Sequence, residues 1–370
     1  MGRVPLLLLI LLISLAKGQE NCNAEDRLNR LRALLESYYL WWDRIKDAQW
    51  KDERELFEYL RKHGDRWTSI TKREEDRLWY SSSKLFGLGI RWDDKGYVVK
   101  VFSGSPAERA GIREGDLIVA INDVYDKSKW RKAIVDIPKG GTIKVELIRG
   151  GLFFELEVVK GEFTVPVIEE VKTLTLMGRK VGYVKLSNLT QPAVGEFRKV
   201  LEGMRSEKVD ILLLDLRDNG GGLISVAKAL VDMLVGGQGV MFYLEGRGRN
   251  MGVYYFEGQE GWKKPILVLV NKNTASAAEL TAVLLKRYAG ALVIGERTVG
   301  KYVGSNIYQI DDCGNVLRLI TFEMKLPDGQ RVVSEKGIEP DCPLKRENPV
   351  EEALMCFSSR WTEEVPAGQK

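Results

Sequence analysis

Apolar and polar positions change their rhythm twice along this chain of 370 residues. From residue 23 to about 80 the rhythm is helical: Leu28, Leu31, Leu34 and Leu35 recur three and four apart with charged residues between them. Tyr38, Tyr39, Trp41 and Trp42 extend that face, which predicts a helical hairpin packed on its own core or on another domain. From about Lys84 to Gly161 the runs become short and β-like, at 85–90, 97–102, 116–121 and 143–148, with glycine turns between them. Within that stretch Ser105-Pro-Ala-Glu-Arg-Ala-Gly111 reads as a short helix, with serine as N-cap, proline at the first position and a terminating glycine. From Val181 onward strands (181–186, 211–216, 265–270) alternate with helices (194–204, 224–234, 275–288). That alternation predicts an α/β core with a parallel-rich sheet, whose site lies at the carboxyl ends of the strands.

The ends of the chain add a compartment. After Arg3, the run from Val4 to Ala16 is almost wholly apolar, and Ala16-Lys17-Gly18 offers small residues for cleavage. The run is about thirteen residues, short of the roughly 20 that span a bilayer. Residues 1–18 are therefore expected to be a signal peptide, giving an exported protein of an extracellular or cell-envelope space; retention as a membrane anchor is the other reading. Residues 347–370 read as a C-terminal tail.

Composition narrows the functions further. With 44% hydrophobic and 29% charged residues the chain is globular. Lysine and arginine number 56 against 52 aspartate and glutamate, a net charge of +4, and no basic stripe interleaved with aromatics points to nucleic acid. Four cysteines, Cys22, Cys313, Cys342 and Cys356, permit disulfides in three connectivities. Their spacing fits no zinc motif, and one histidine cannot complete one, so neither metal nor organic cofactor is expected.

That histidine, His63, sits in a charged segment near a predicted helix end and reads as a surface residue. A nucleophile here must use a base other than imidazole. Asn271-Lys-Asn-Thr-Ala-Ser276-Ala-Ala-Glu279 comes after one apolar run, and Gly295-Glu-Arg-Thr-Val-Gly300-Lys301 after the next. A hydroxyl where a strand runs into a helix and a lysine at the end of the neighbouring strand can meet at one sheet edge. Ser–Lys is a recognised nucleophile–base pair. Its lysine must be neutral to accept a proton, so its pKa must fall from about 10.4 toward 7 or 8, a cost of about 4 kcal/mol that an apolar pocket imposes. Val299 and Tyr302 suit such a pocket.

The segment from Gly87 to Asn122 resembles a PDZ domain. Gly87-Leu88-Gly89-Ile90 matches its carboxylate-binding loop, where backbone N–H groups form an anion nest beside a strand that pairs with the incoming peptide. With the downstream segments included, residues 84 to about 344 resemble the C-terminal processing (tail-specific) peptidases, the Ser/Lys proteases of the S41 type. Leu214-Asp-Leu-Arg-Asp-Asn-Gly-Gly-Gly-Leu223 is similar to the family's glycine loop. The Ser276 and Lys301 segments are similar to its nucleophile and lysine segments, 25 positions apart. Asp65-Arg-Trp-Thr-Ser-Ile70, Lys325-Leu-Pro-Asp-Gly-Gln330 and Gly337-Ile-Glu-Pro-Asp341 resemble its lead-in and closing motifs.

The resemblance implies a helical region (19–83), a PDZ domain (84–162) and a serine protease core (163–346). It implies Ser276 as nucleophile, Lys301 as base, and Gly221, Gly222 and Ala277 around the oxyanion. Gly87, Leu88, Gly89 and Ile90 would take the C-terminus of a polypeptide substrate, and in this family the PDZ domain can also gate the site. Two departures stand out. Relatives usually carry glycine after the lysine and, four positions beyond it, a glutamine that orients the amine. Here those places hold Tyr302 and Ser305, with Ser305 or Asn306 as the available substitutes. Arg287 also occupies a helical position where relatives often have Asp or another polar residue.

The same residues admit two other functions. A catalytically inactive PDZ-containing peptide binder of the same fold is the alternative that the missing glutamine motivates. Gly295 to Lys301 also nearly matches a phosphate-binding loop, but Tyr302 replaces the serine or threonine that would hold magnesium, and 302–310 reads as strand.

Overall fold

The computed structural model describes residues 23–258, 260–344 and 348–364. The expected signal peptide, Cys22 and part of the expected tail lie outside them. Among the described residues no helix is long and apolar enough to cross a membrane.

The core is built on two sheets. In the first, Ile168–Leu176, Arg179–Leu186, Ile211–Asp215, Ile266–Val270, Leu292–Gly295 and Cys342–Pro343 lie side by side in that order. All run parallel except the edge strand Ile168–Leu176. Alternation assigns the faces: Leu212, Leu214, Ile266, Val268 and Val270 enter one apolar cluster, and Ile211, Leu213, Leu267 and Leu269 enter another. Helices Pro192–Ser206, Ile224–Val235 and Ala277–Ala289 cover the first face.

The second face corrects an expectation. Helix Pro349–Glu364 packs Val350, Ala353, Leu354 and Phe357 against it, and the disulfide Cys342–Cys356 ties that helix to the edge strand. Within the expected tail, Pro349–Glu364 is therefore a packed helix; the polar run before Pro349 hid the helical spacing behind it. Cys313 is disulfide-bonded as well.

The second sheet is antiparallel. It holds Ser69–Lys72, Asn315–Lys325, Val240–Gly246 and Arg249–Tyr255, and Val303–Gln309 also pairs with Asn315–Lys325. Its first strand comes from the N-terminal region, whose helices Ala24–Tyr38 and Glu53–Lys62 send Leu28, Leu31, Leu35, Leu56 and Leu60 into the main core cluster. Of the two packings expected for this region, the one against another domain is found. His63 ends the second helix, its ring stacked on Tyr59 at 4.0 Å and its Nδ1 2.9 Å from the Tyr59 carbonyl oxygen.

Residues 84–164 keep an apolar cluster of their own around Val98, Ile118, Ile121, Trp130, Ile143 and Leu147. Ser105 caps helix Pro106–Arg109, accepting from the Glu108 N–H at 3.1 Å, as expected. The strand expected over 85–90 is broken. Lys84–Gly87 pairs with Gly161–Thr164, and Ile90–Trp92 pairs with Val98–Val101. Between them Gly89 has φ +80°, and a Cβ there would collide with the Ser105 side chain, so only glycine makes this crossing.

Candidate active site

Three adjacent parallel strands deliver the chemistry to one edge. Ile211–Asp215 runs into the glycine loop, Ile266–Val270 into the Ser276 segment, and Leu292–Gly295 into the Lys301 segment. Their loops open on a cleft of about 810 Å³ whose wall includes Ser276, Lys301, Gly221, Gly222 and Ser305.

Ser276 stands at the N-cap of helix Ala277–Ala289 with φ +56° and ψ −122°, a backbone state rare for a residue with a side chain. Such strain costs about 1–3 kcal/mol and persists only where surroundings impose it. Glu279 imposes it here. Its fully buried carboxylate accepts from the Ser276 N–H at 2.8 Å and, on the same oxygen, from the Lys301 N–H at 2.9 Å. Its other oxygen accepts from the Gly300 N–H at 2.7 Å and from the Thr298 hydroxyl. One carboxylate thus fixes the backbone of both candidate residues. Sequence reasoning gave Glu279 no role, although Ser-x-x-Glu at a helix start is the capping-box signal.

The glycine loop is moored by Asp215, which is buried and accepts from the Tyr183 hydroxyl at 2.8 Å and from the Arg217 guanidinium at two nitrogens. Gly221 packs against the nucleophile, since a Cβ there would lie 2.9 Å from the Ala277 nitrogen. Its own N–H, however, donates to Asn219 Oδ1 at 2.9 Å. The Gly221 N–H is thus already engaged within its own loop. The N–H groups of Gly222 and Ala277 have no hydrogen-bond acceptor among the described residues. The Ala277 N–H also begins a helix, where the backbone dipole favours negative charge.

Lys301 is held in a pocket that disfavours its charge. Burial pushes its pKa down to about 8, and the Arg318 guanidinium pushes the same way, while Asp65 and Glu279 oppose. Its Nζ lies 4.9 Å from the centre of the Trp67 ring. Arg318, which lines the cleft, is fixed by Asp76 through Nε at 3.1 Å and Nη2 at 2.5 Å. Sequence reasoning assigned none of Trp67, Arg318 or Asp65 to the site, because only the fold carries them there.

Ser305 reaches the cleft wall but makes no hydrogen bond to Lys301 among the described residues, and the Asn306 amide is engaged by Thr321 at 2.9 Å. Tyr302 packs on Trp41, with ring centres 6.4 Å apart, beneath the Arg331 guanidinium. Arg287 pairs with Asp328 at 2.8 Å. A phosphate in the 295–301 loop would need the Gly300 and Lys301 N–H groups, and Glu279 holds both.

Of the residues expected to bind peptide, Ile90 lines the same cleft, together with Arg91 and Ser276. The Leu88 and Gly89 carbonyls accept from Ala107 and Phe102, whereas their N–H groups donate to no other described residue. Among the described residues strand Ile90–Trp92 pairs only with Val98–Val101, which leaves its other edge without a strand partner there.

Residues 180–344 match peptidase family S41, and residues 97–125 match the PDZ domain. The α/β core is thus similar to peptidase family S41. Similar relatives include the chloroplastic carboxyl-terminal-processing peptidase 2 of Arabidopsis thaliana, 31% identical over 277 residues that make up 70% of this chain and 52% of the relative. The carboxy-terminal processing protease CtpA of Bacillus subtilis is 28% identical over 266 residues, 70% of this chain and 56% of the relative. The chain spans about half the length of the curated relatives it matches. Among solved structures, the photosystem II D1 C-terminal processing protease shares the fold, with a TM-score of 0.58 at 22% identity over 90% of this chain and 96% of that one.

Proposed function

We propose that this chain is an exported serine endopeptidase that uses Ser276 and Lys301 and selects polypeptides by their C-termini. The observation that carries the reading is Lys301, buried on the wall of the cleft that holds a strained serine, where burial lowers its pKa to about 8. Ser276 Oγ attacks the scissile carbonyl carbon as Lys301 Nζ takes its proton, and the Gly222 and Ala277 N–H groups receive the oxyanion. Lys301 then gives the proton to the departing amine as the C–N bond breaks. Water, deprotonated by Lys301 Nζ, then attacks the acyl carbon, and Lys301 returns that proton to Ser276 Oγ as the acyl C–Oγ bond breaks.

Recognition rests on the loop at 87–90. The Leu88 and Gly89 N–H groups bind a terminal carboxylate, and the chain upstream of it lies along Ile90–Trp92 toward Ser276. The names of the relatives, which process carboxyl termini, agree with this reading. The disulfide Cys342–Cys356 supports an oxidising compartment and hence export.

The founding test offers the purified protein an unstructured polypeptide with an apolar C-terminus. Cleavage is expected, and its absence at every pH would leave the peptide-binder reading. Amidating that C-terminus should lower kcat/KM by about tenfold, the worth of one charge-assisted hydrogen-bond set. Equal rates with and without the block would refute selection by the PDZ loop.

The pH dependence has a definite sign. Only neutral Lys301 accepts the serine proton, and its pKa is lowered to about 8. Then kcat/KM rises about tenfold per pH unit below that value and levels off above it. A profile flat from pH 6 to 9 would exclude an amine base.

A further inference from the structure

Something must place the Lys301 amine, and neither position taken from the family pattern does so: Tyr302 packs on Trp41, and Ser305 makes no hydrogen bond to the lysine among the described residues. The group that meets the amine is an indole face, with Nζ 4.9 Å from the centre of the Trp67 ring. Trp67 is well anchored for this. Its N–H donates to Asp65 Oδ1 at 2.8 Å, as does that of Thr68 at 2.9 Å, and the Asp65 carboxylate also takes the Thr68 hydroxyl. Two residues later the chain enters the antiparallel sheet as Ser69–Lys72, paired with Asn315–Lys325. The ring is thus carried into the cleft by the N-terminal region, outside both the PDZ domain and the matched S41 segment.

We propose that Trp67 is the positioning residue for Lys301, its indole face locating Nζ and stabilising the ammonium that forms when Lys301 takes the Ser276 proton. The proposal rests on the Ser276–Lys301 reading. Its physical basis is the negative face of the aromatic ring, which attracts a cation and most strongly a desolvated one. A neutral amine gains little from that face, so the interaction strengthens as the proton arrives and favours the transition state over the ground state. A carboxamide in this place would engage the amine by hydrogen bonding; the indole face leaves the lone pair free for the serine proton. The other charged groups acting here are Arg318, Asp65 and Glu279 toward the amine, and Arg66, whose guanidinium lies 4.6 Å from the Trp67 ring centre.

The test weakens the face without changing its shape. Mono-, di- and trifluorotryptophan are introduced at position 67 alone among the nine tryptophans, in the otherwise intact chain, alongside Trp67→Phe and Trp67→Leu. We expect kcat to fall stepwise with fluorination while KM stays within about twofold, Trp67→Phe to be intermediate, and Trp67→Leu to lose about 5- to 30-fold. A second readout needs no turnover. Titration of the Lys301 Nζ by nitrogen NMR should show its pKa dropping further with each fluorine, because the ammonium loses support. An unchanged kcat and an unchanged titration across the series would overturn the proposal, and the fluorinated proteins decide it even if Trp67→Leu does not fold. A wild-type protein that cleaves nothing would refute the peptidase reading instead, and the titration alone would then judge Trp67.

Discussion

Ser276→Ala and Lys301→Met are each expected to lower kcat by about 10⁴-fold or more, and the double variant should be hardly worse than either alone. This non-additivity is the mark of residues acting as one unit: a serine without its base, or a base without its serine, has lost the same step. The residual rate would come from the proposed Gly222 and Ala277 donors and from binding. Folding separates this from trivial inactivation. Lys301→Met keeps the side-chain volume and removes an amine whose charge burial disfavours, so its Tm should equal or exceed that of the wild type. Stopped assays with a tail-bearing polypeptide, together with thermal unfolding, read both quantities. A Lys301→Met enzyme within tenfold of wild type would remove Lys301 from the mechanism.

The second large effect is expected at a residue that touches no substrate. Glu279→Gln places an NH₂ group where one carboxylate oxygen receives N–H or O–H donors, leaving two of them unsatisfied in a buried site. Each costs about 1–3 kcal/mol, so stability should fall by roughly 2–6 kcal/mol, a large share of the roughly 5–15 kcal/mol of an ordinary domain. With Ser276 no longer clamped at φ +56°, kcat should drop about 100-fold or more. Glu279→Asp keeps the charge on a shorter arm and should recover part of the stability but little of the rate. Denaturant titrations and kcat on the two variants check this; a Glu279→Gln protein with unaltered kcat would show that the clamp does not serve the chemistry.

Much of this was legible because the signals were local. Short apolar runs such as Ile266–Val270 followed by helical spacing announced a parallel sheet, and loops at strand carboxyl ends are where such sheets hold their sites. Ser276 and Lys301 lie beyond the ends of successive strands of that sheet, so adjacency in sequence order became adjacency in space. The broken strand at Leu88-Gly89 and the helix after Pro349 were not legible, since one depends on the approach of Ser105 and the other on an uncovered sheet face.

The chain alone determined the candidates for the chemistry: a single histidine, a serine at a strand-to-helix turn and a lysine one strand later are the residues from which the proposed nucleophile–base pair is read. It also determined the order of the parts, from helical region to peptide-binding unit to α/β core. The tertiary structure decided which groups make that pair workable. Glu279 joins the two segments, Asn219 occupies the Gly221 donor, and Trp67 and Arg318 surround the amine. These choices were out of reach of the sequence because electrostatic and hydrogen-bonding partners are set by distance in space. Trp67 is brought to Lys301 only after the strand that begins at Ser69 has paired with the distant strand Asn315–Lys325.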